Sequence, residues 1–184
     1  MKVRLFAAAI AAVVLSLPVY AEGVKSGPQA GEKVPGPFHP LNVTGPSKGE
    51  KACLFCSNGD NPVAMVFARE NSPALAKLVK KIDEATIKNK SASMGSFVVF
   101  LSDAEGLDKK LADMASKEKI EKCVLSIDNP AGPKAYKVAE DADVTVVLYV
   151  ERKVKANHAF KKGELKDADI EKVIADVSKI LPTK

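Results

Sequence analysis

From Pro62 onward the chain alternates short unbroken apolar runs with longer stretches whose apolar residues recur at helical spacing. This alternation restricts the fold to strands joined through helices. Pro62-Val63-Ala64-Met65-Val66-Phe67-Ala68 lacks any 3.6-residue period and reads as a strand buried on both faces. Ser72-Pro73 supplies an N-cap and a first-turn proline, and Leu75, Leu78, Val79 and Ile82 make one stripe of a helix that fades near Lys90. Ser96 to Leu101 is a second buried strand, after which Asp103 is expected to cap a helix carrying Leu107, Leu111, Met114 and Ala115 on one side. Cys123 to Ile127 reads as a third strand. The breaker run Asp128 to Pro133 leaves room only for a short helix over Lys134 to Glu140. Val144 to Val150 and Val154 to Phe160 are separated by Glu151-Arg152-Lys153, which implies an antiparallel hairpin. Asp167 then opens a terminal helix with Ile170, Val173, Ile174, Val177 and Leu181 on one face. The order βαβαβαββα predicts an α/β, three-layer sandwich: parallel strands, an antiparallel closing hairpin, and helices on both faces of a mixed sheet.

Composition agrees with one soluble domain. Of 184 residues, 28% are charged and mean hydropathy is -0.04, which excludes a membrane protein, while 46% apolar content excludes a disordered chain. Three cysteines are too few for a disulfide-built miniprotein. Residues 1–21 have the layout of a signal peptide: Lys2 and Arg4, an apolar run from Leu5 to Leu17, and Val19-Tyr20-Ala21 before Glu22. Cleavage after Ala21 removes Lys2 and Arg4 and so lowers the net charge from +5 to +3. Export directs the protein to the periplasm or outside the cell, with no membrane association after cleavage. Residues 22–51 form a Pro/Gly-rich lead in which Phe38 to Val43 can make a short extended edge piece. Residues 52–184 form the remaining domain. Lysines are interleaved with acids (Lys77, Lys80 and Lys81 beside Asp83 and Glu84), the pattern of a solvated face rather than a nucleic-acid surface.

That element order, with Asp143-Val144-Thr145-Val146-Val147-Leu148-Tyr149-Val150 running into the hairpin, resembles the thioredoxin-like superfamily. The lead Gly31-Glu32-Lys33-Val34-Pro35-Gly36-Pro37-Phe38, followed by Leu41-Asn42-Val43-Thr44-Gly45, is similar to the opening of its peroxiredoxin (AhpC/TSA) and TlpA/ResA-type branch. The resemblance covers roughly residues 31–182. It implies thiol-disulfide chemistry at Cys-x-x-Cys, here Cys53-Leu54-Phe55-Cys56, with Cys53 as attacking and Cys56 as resolving thiol. Such chemistry acts on thiols or disulfides of envelope proteins, needs no cofactor, and suits a monomer.

Position departs from the family. Its pair follows the first core strand, where this chain has Arg69-Glu70-Asn71-Ser72-Pro73. Here the pair precedes that strand, in a stretch from Lys48 to Asn61 that looks inserted. A strand of about seven residues at ~3.3 Å each puts the two ends ~20 Å apart. The family also has a cis-proline, followed by Thr, that holds substrate backbone before the hairpin; the matching positions are Val144-Thr145, and Val144 is expected to be trans. The Pro-x-x-x-Thr/Ser-x-x-Cys pattern of a peroxidase is absent.

Two readings of Cys53-Cys56 stand: reversible dithiol exchange, or a structural disulfide stapling the inserted loop in a redox-inert binding module. Asn58-Gly59-Asp60 directly after the pair reads as turn rather than helix. Cys123 leaves the count odd and reads as a buried thiol acting as a small hydrophobe. His39 and His158 could join the pair as zinc ligands but lack paired spacing. Glu70, Asn71 and Ser72 occupy the family's reactive slot, with Ser72 as a helix cap. The sequons at Asn42 and Asn89 are uninformative.

Overall fold

The computed structural model describes residues 23–182, so the leader at residues 1–21 lies outside the described residues. A six-stranded sheet runs through the middle in the order β1-β4-β3-β2-β5-β6. The central strands are β2 (Val63–Ala68), β3 (Gly95–Leu101) and β4 (Val124–Asp128), paired parallel. The hairpin of β5 (Val144–Val150) and β6 (Lys153–Phe160) joins them antiparallel through β2. At the other edge β1 (Leu41–Asn42) pairs antiparallel with β4, which is the short extended piece expected in the lead.

Every residue of β2 is buried because both faces of the sheet are covered. Ala64, Val66 and Ala68 point into one core, and Val63, Met65 and Phe67 into the other. Three helices cover the first core: α2 (Pro73–Lys88), α3 (Leu107–Lys117) and α4 (Asp167–Asp176). Their stripes are those expected, with Leu75, Leu78, Val79, Ile82, Leu111, Ile170 and Val173 fully buried. Both crossovers, β2 to β3 and β3 to β4, step in the same direction across the sheet. Right-handed connections then put α2 and α3 on one face.

The opposite layer carries less helix. Its cover is the lead (Val34, Phe38), the short helix α1 (Leu54–Asn58) and Tyr136. Only Lys134–Tyr136 is helical in the Lys134 to Glu140 stretch, as one 3-10 turn. Lys137 turns left-handed (φ 51) there, and Tyr136 packs edge-on against both Phe38 and Phe67, its hydroxyl donating to Gly36 O at 2.5 Å. Packing of this one aromatic overrides continuation of the helix.

Two further expectations are corrected. Asp103 does not cap α3: the helix starts after Gly106, which is left-handed (φ 69) and provides no side-chain cap. Asp83 is not on a solvated face. It is fully buried on α2 and accepts hydrogen bonds from the backbone N–H of Lys122 (2.7 Å), Cys123 (2.8 Å) and Glu121 (3.2 Å). These donors lead into β4 and have no sheet partner of their own, so the carboxylate replaces water for them.

Candidate redox site

Residues 41–51 fold back on themselves before the pair. Asn42 N–H donates to Glu50 O and Gly49 N–H to Asn42 O, and Leu41 bridges Lys51. The chain then reaches Cys53, the N-cap of α1, whose five residues include Cys56. The turn read at Asn58-Gly59-Asp60 is present, with Gly59 at φ 56 ending the helix, but a short helix precedes it. Leu54 and Phe55 are buried and anchor α1 on the second core, which leaves Cys56 on the outward side of the helix.

Cys53 and Cys56 are joined in a disulfide, with Cα atoms 5.2 Å apart. Cys56 N–H donates to Cys53 Sγ at 3.1 Å. The two are not equally open: Cys56 is exposed, whereas Cys53 is half-buried against the second core. Phe55 packs near Tyr149 (centroids 6.3 Å apart), and the Arg152 guanidinium lies 5.6 Å from the Phe55 ring centre. Arg152 is held there by Asp60 at 3.0 Å, and Glu151 N–H donates to Asp60 O.

All of these contacts lie at one end of the sheet. Val63, which starts β2, pairs with Gly95 and Tyr149, while Ala68 at its far end pairs with Val144. Six strand residues, about 17 Å, therefore separate the pair's end from the end where Ser72 and Val144 sit. The relocation read in the sequence is thus a relocation in space.

The slot after β2, where the resemblance implies the cysteines, is filled by other bonds. The Arg69 guanidinium donates to the carbonyls of Pro130 (2.8 Å), Ala139 (3.1 Å) and Ala142 (3.1 Å), clamping two loop segments. Glu70 pairs with Lys162, and burial, then the neighbouring Glu70 charge, raises the Asp143 carboxyl above its ordinary value. Ser72 accepts from Leu75 N–H at 3.2 Å and is the helix cap expected. Asn71 and Ser72 border a surface groove of about 600 Å³ between α2 and α3 whose lining includes five lysines.

Substrate backbone has no open cradle here. No peptide bond among the described residues is cis. Val144 is buried in the first core, and the Thr145 hydroxyl is paired with Ser26 Oγ at 2.7 Å. Ser26 also accepts from Ala139 N–H, while Asn157 donates to the carbonyls of Ser26 and Pro28. The chain's own lead therefore lies over Thr145. No sequence pattern marks this lid, because Ser26 and Thr145 are 119 positions apart and meet only through the fold.

The remaining candidates lie elsewhere. Cys123 is buried, and loss of solvent pushes its thiol up to about 12, so it stays neutral at physiological pH. His39 is exposed on the lead, and His158 bonds Asp176 at 3.0 Å. Among the described residues no group of three or more His, Cys, Asp or Glu side chains could hold a metal ion. The sequon Asn42 is buried and Asn89 half-buried; the Asn89 amide bonds Ala85 O.

The fold is thioredoxin-like, and it carries a Cys-x-x-Cys bridge on α1, ahead of β2. Solved structures agree on the fold. A candidate protein disulfide isomerase from Bacteroides thetaiotaomicron matches with TM-score 0.64 at 16% identity over 86% of this chain and 94% of its own. A secreted Mycobacterium tuberculosis disulfide oxidoreductase homologous to E. coli DsbE matches with TM-score 0.57 at 10% identity, over 77% of this chain and 94% of its own. The peroxidoxin BcpB from the same organism matches with TM-score 0.56 at 17% identity, over 86% and 99%. No protein-family model and no curated protein matches the chain.

Proposed function

We propose that the protein is an exported thiol-disulfide oxidoreductase that exchanges disulfides with proteins of the cell envelope through Cys53 and Cys56. The observation that carries this reading is a closed Cys-x-x-Cys bridge with one member, Cys56, at the surface of a thioredoxin-like domain. A solvent-accessible bridge of this kind is open to attack by an incoming thiolate, and sulfur alone carries the electrons, so no cofactor is needed. The leader pattern and the oxidised pair suit a periplasmic or secreted monomer. The disulfide isomerase and secreted disulfide oxidoreductase among its structural neighbours support the same chemistry.

A second reading rests on the burial of Leu54 and Phe55 between the cysteines. The bridge then fastens α1 onto the core of a redox-inert binding module. Reductant-driven reduction of insulin separates the two. Catalysis by the wild-type protein that is lost in both Cys53→Ser and Cys56→Ser is the expected result, and no catalysis by the intact protein favours the module. Expression in a bacterium with a periplasm tests export, with a mature chain starting at Glu22 as the expected product.

A further inference from the structure

Disulfide exchange is an in-line displacement: the incoming thiolate approaches the attacked sulfur on the side away from the leaving one, and access decides which sulfur that is. At Cys56 the approach is from solvent, since Cys56 and its neighbour Ser57 are both exposed. Cys53 is only half-exposed and packs against the second core, which contains Leu54 and Phe55, so less of it is open to an incoming thiolate. The hydrogen bonding points the same way. Cys56 N–H donates to Cys53 Sγ at 3.1 Å, and a donor aimed at sulfur favours the thiolate over the neutral form, which improves Cys53 as a leaving group.

Resting on the reading that the pair exchanges at all, we infer that Cys56 is the sulfur that bonds to the partner protein and Cys53 is the internal one, the reverse of the order that the family resemblance implies. In the oxidising direction, a thiolate of a partner's cysteine pair attacks Cys56 Sγ. A new intermolecular S–S bond forms, the Cys53–Cys56 bond breaks, and the electron pair leaves on Cys53. The partner's second cysteine gives its proton to solvent and attacks the partner sulfur of the mixed disulfide. Cys56 is expelled as a thiolate, and both cysteines of this chain take protons from water. Two electrons pass from the partner dithiol, which is oxidised, to this chain, which is reduced. In the reverse direction Cys56 attacks a partner disulfide and Cys53 resolves the intermediate.

The test uses glutathione as the probe. The oxidised wild-type protein is mixed with reduced glutathione, quenched in acid, and the adduct mapped by tandem mass spectrometry. In parallel, Cys53→Ser and Cys56→Ser react with oxidised glutathione. The adduct is expected on Cys56 in the wild type, and Cys53→Ser should be modified at least about tenfold faster than Cys56→Ser. Adduct on Cys53, or faster modification of Cys56→Ser, overturns the order while insulin turnover by the wild type leaves the exchange reading standing. No adduct at either sulfur of the wild type overturns both. The wild-type arm decides the matter even if a single-cysteine variant does not fold.

Discussion

Asp83 shows how one side chain can fix a loop. Its carboxylate is fully buried and accepts from three consecutive backbone N–H groups at the entrance to β4. Asp83→Ala removes the acceptor of all three donors, of which the Cys123 bond is buried and the other two partly so, and an unmade buried hydrogen bond costs about 1–3 kcal/mol per group. The expected loss in a urea unfolding titration is about 3 kcal/mol or more, with Asp83→Asn falling between Ala and wild type because one acceptor oxygen remains. A loss under about 1 kcal/mol for Asp83→Ala would remove this role. The sequence points the other way here: Asp83 stands beside Lys80, Lys81 and Glu84, and nothing local distinguishes it from a solvated acid. Its burial depends on a loop some 40 residues downstream.

At the scale of elements, sequence and structure agree wherever periodicity is strong. The β2, β3 and β5 strands and the buried stripes of α2, α3 and α4 are legible because each satisfies its own pattern on its own face. Legibility fails where a distant contact decides. The 3-10 turn at Lys134–Tyr136 is cut short by Tyr136 seeking the Phe38 and Phe67 rings. The α1 helix forms because Leu54 and Phe55 find the second core, although its five residues are too few to persist alone. The seat of α1 also depends on Gly95, since a Cβ there would lie 1.8 Å from Asn58 Oδ1 and 2.8 Å from its Cγ. Gly95→Ala must displace Asn58, whose amide bonds Leu54 O, and so loosen the end of α1. We expect a stability loss of about 1–2 kcal/mol. Faster hydrogen exchange should appear over Leu54–Asn58 while α2 is unchanged; protection equal to wild type over α1 would contradict this.

Over the whole molecule, the two ends of the sheet are built differently. At the Ala68 end of β2, where the family resemblance implies the cysteines, Arg69 clamps three carbonyls and Ser26 covers Thr145, so that end is closed by the chain's own bonds. At the opposite end the disulfide rides on α1, fastened through Phe55, Tyr149 and the Asp60–Arg152 pair. The cysteines before β2 and the missing cysteine after it announce this displacement in the sequence, whereas the lid over Thr145 is visible only once the lead is folded. A bridge built for exchange and one built as a staple differ most plainly in reduction potential, because structural disulfides in exported proteins lie below about −300 mV. The decisive measurement is the midpoint potential of the Cys53–Cys56 couple, read by trapping free thiols across a series of thiol redox buffers. Exchange predicts a midpoint between about −120 and −270 mV, the range of known exchange catalysts; a midpoint below about −300 mV would contradict it.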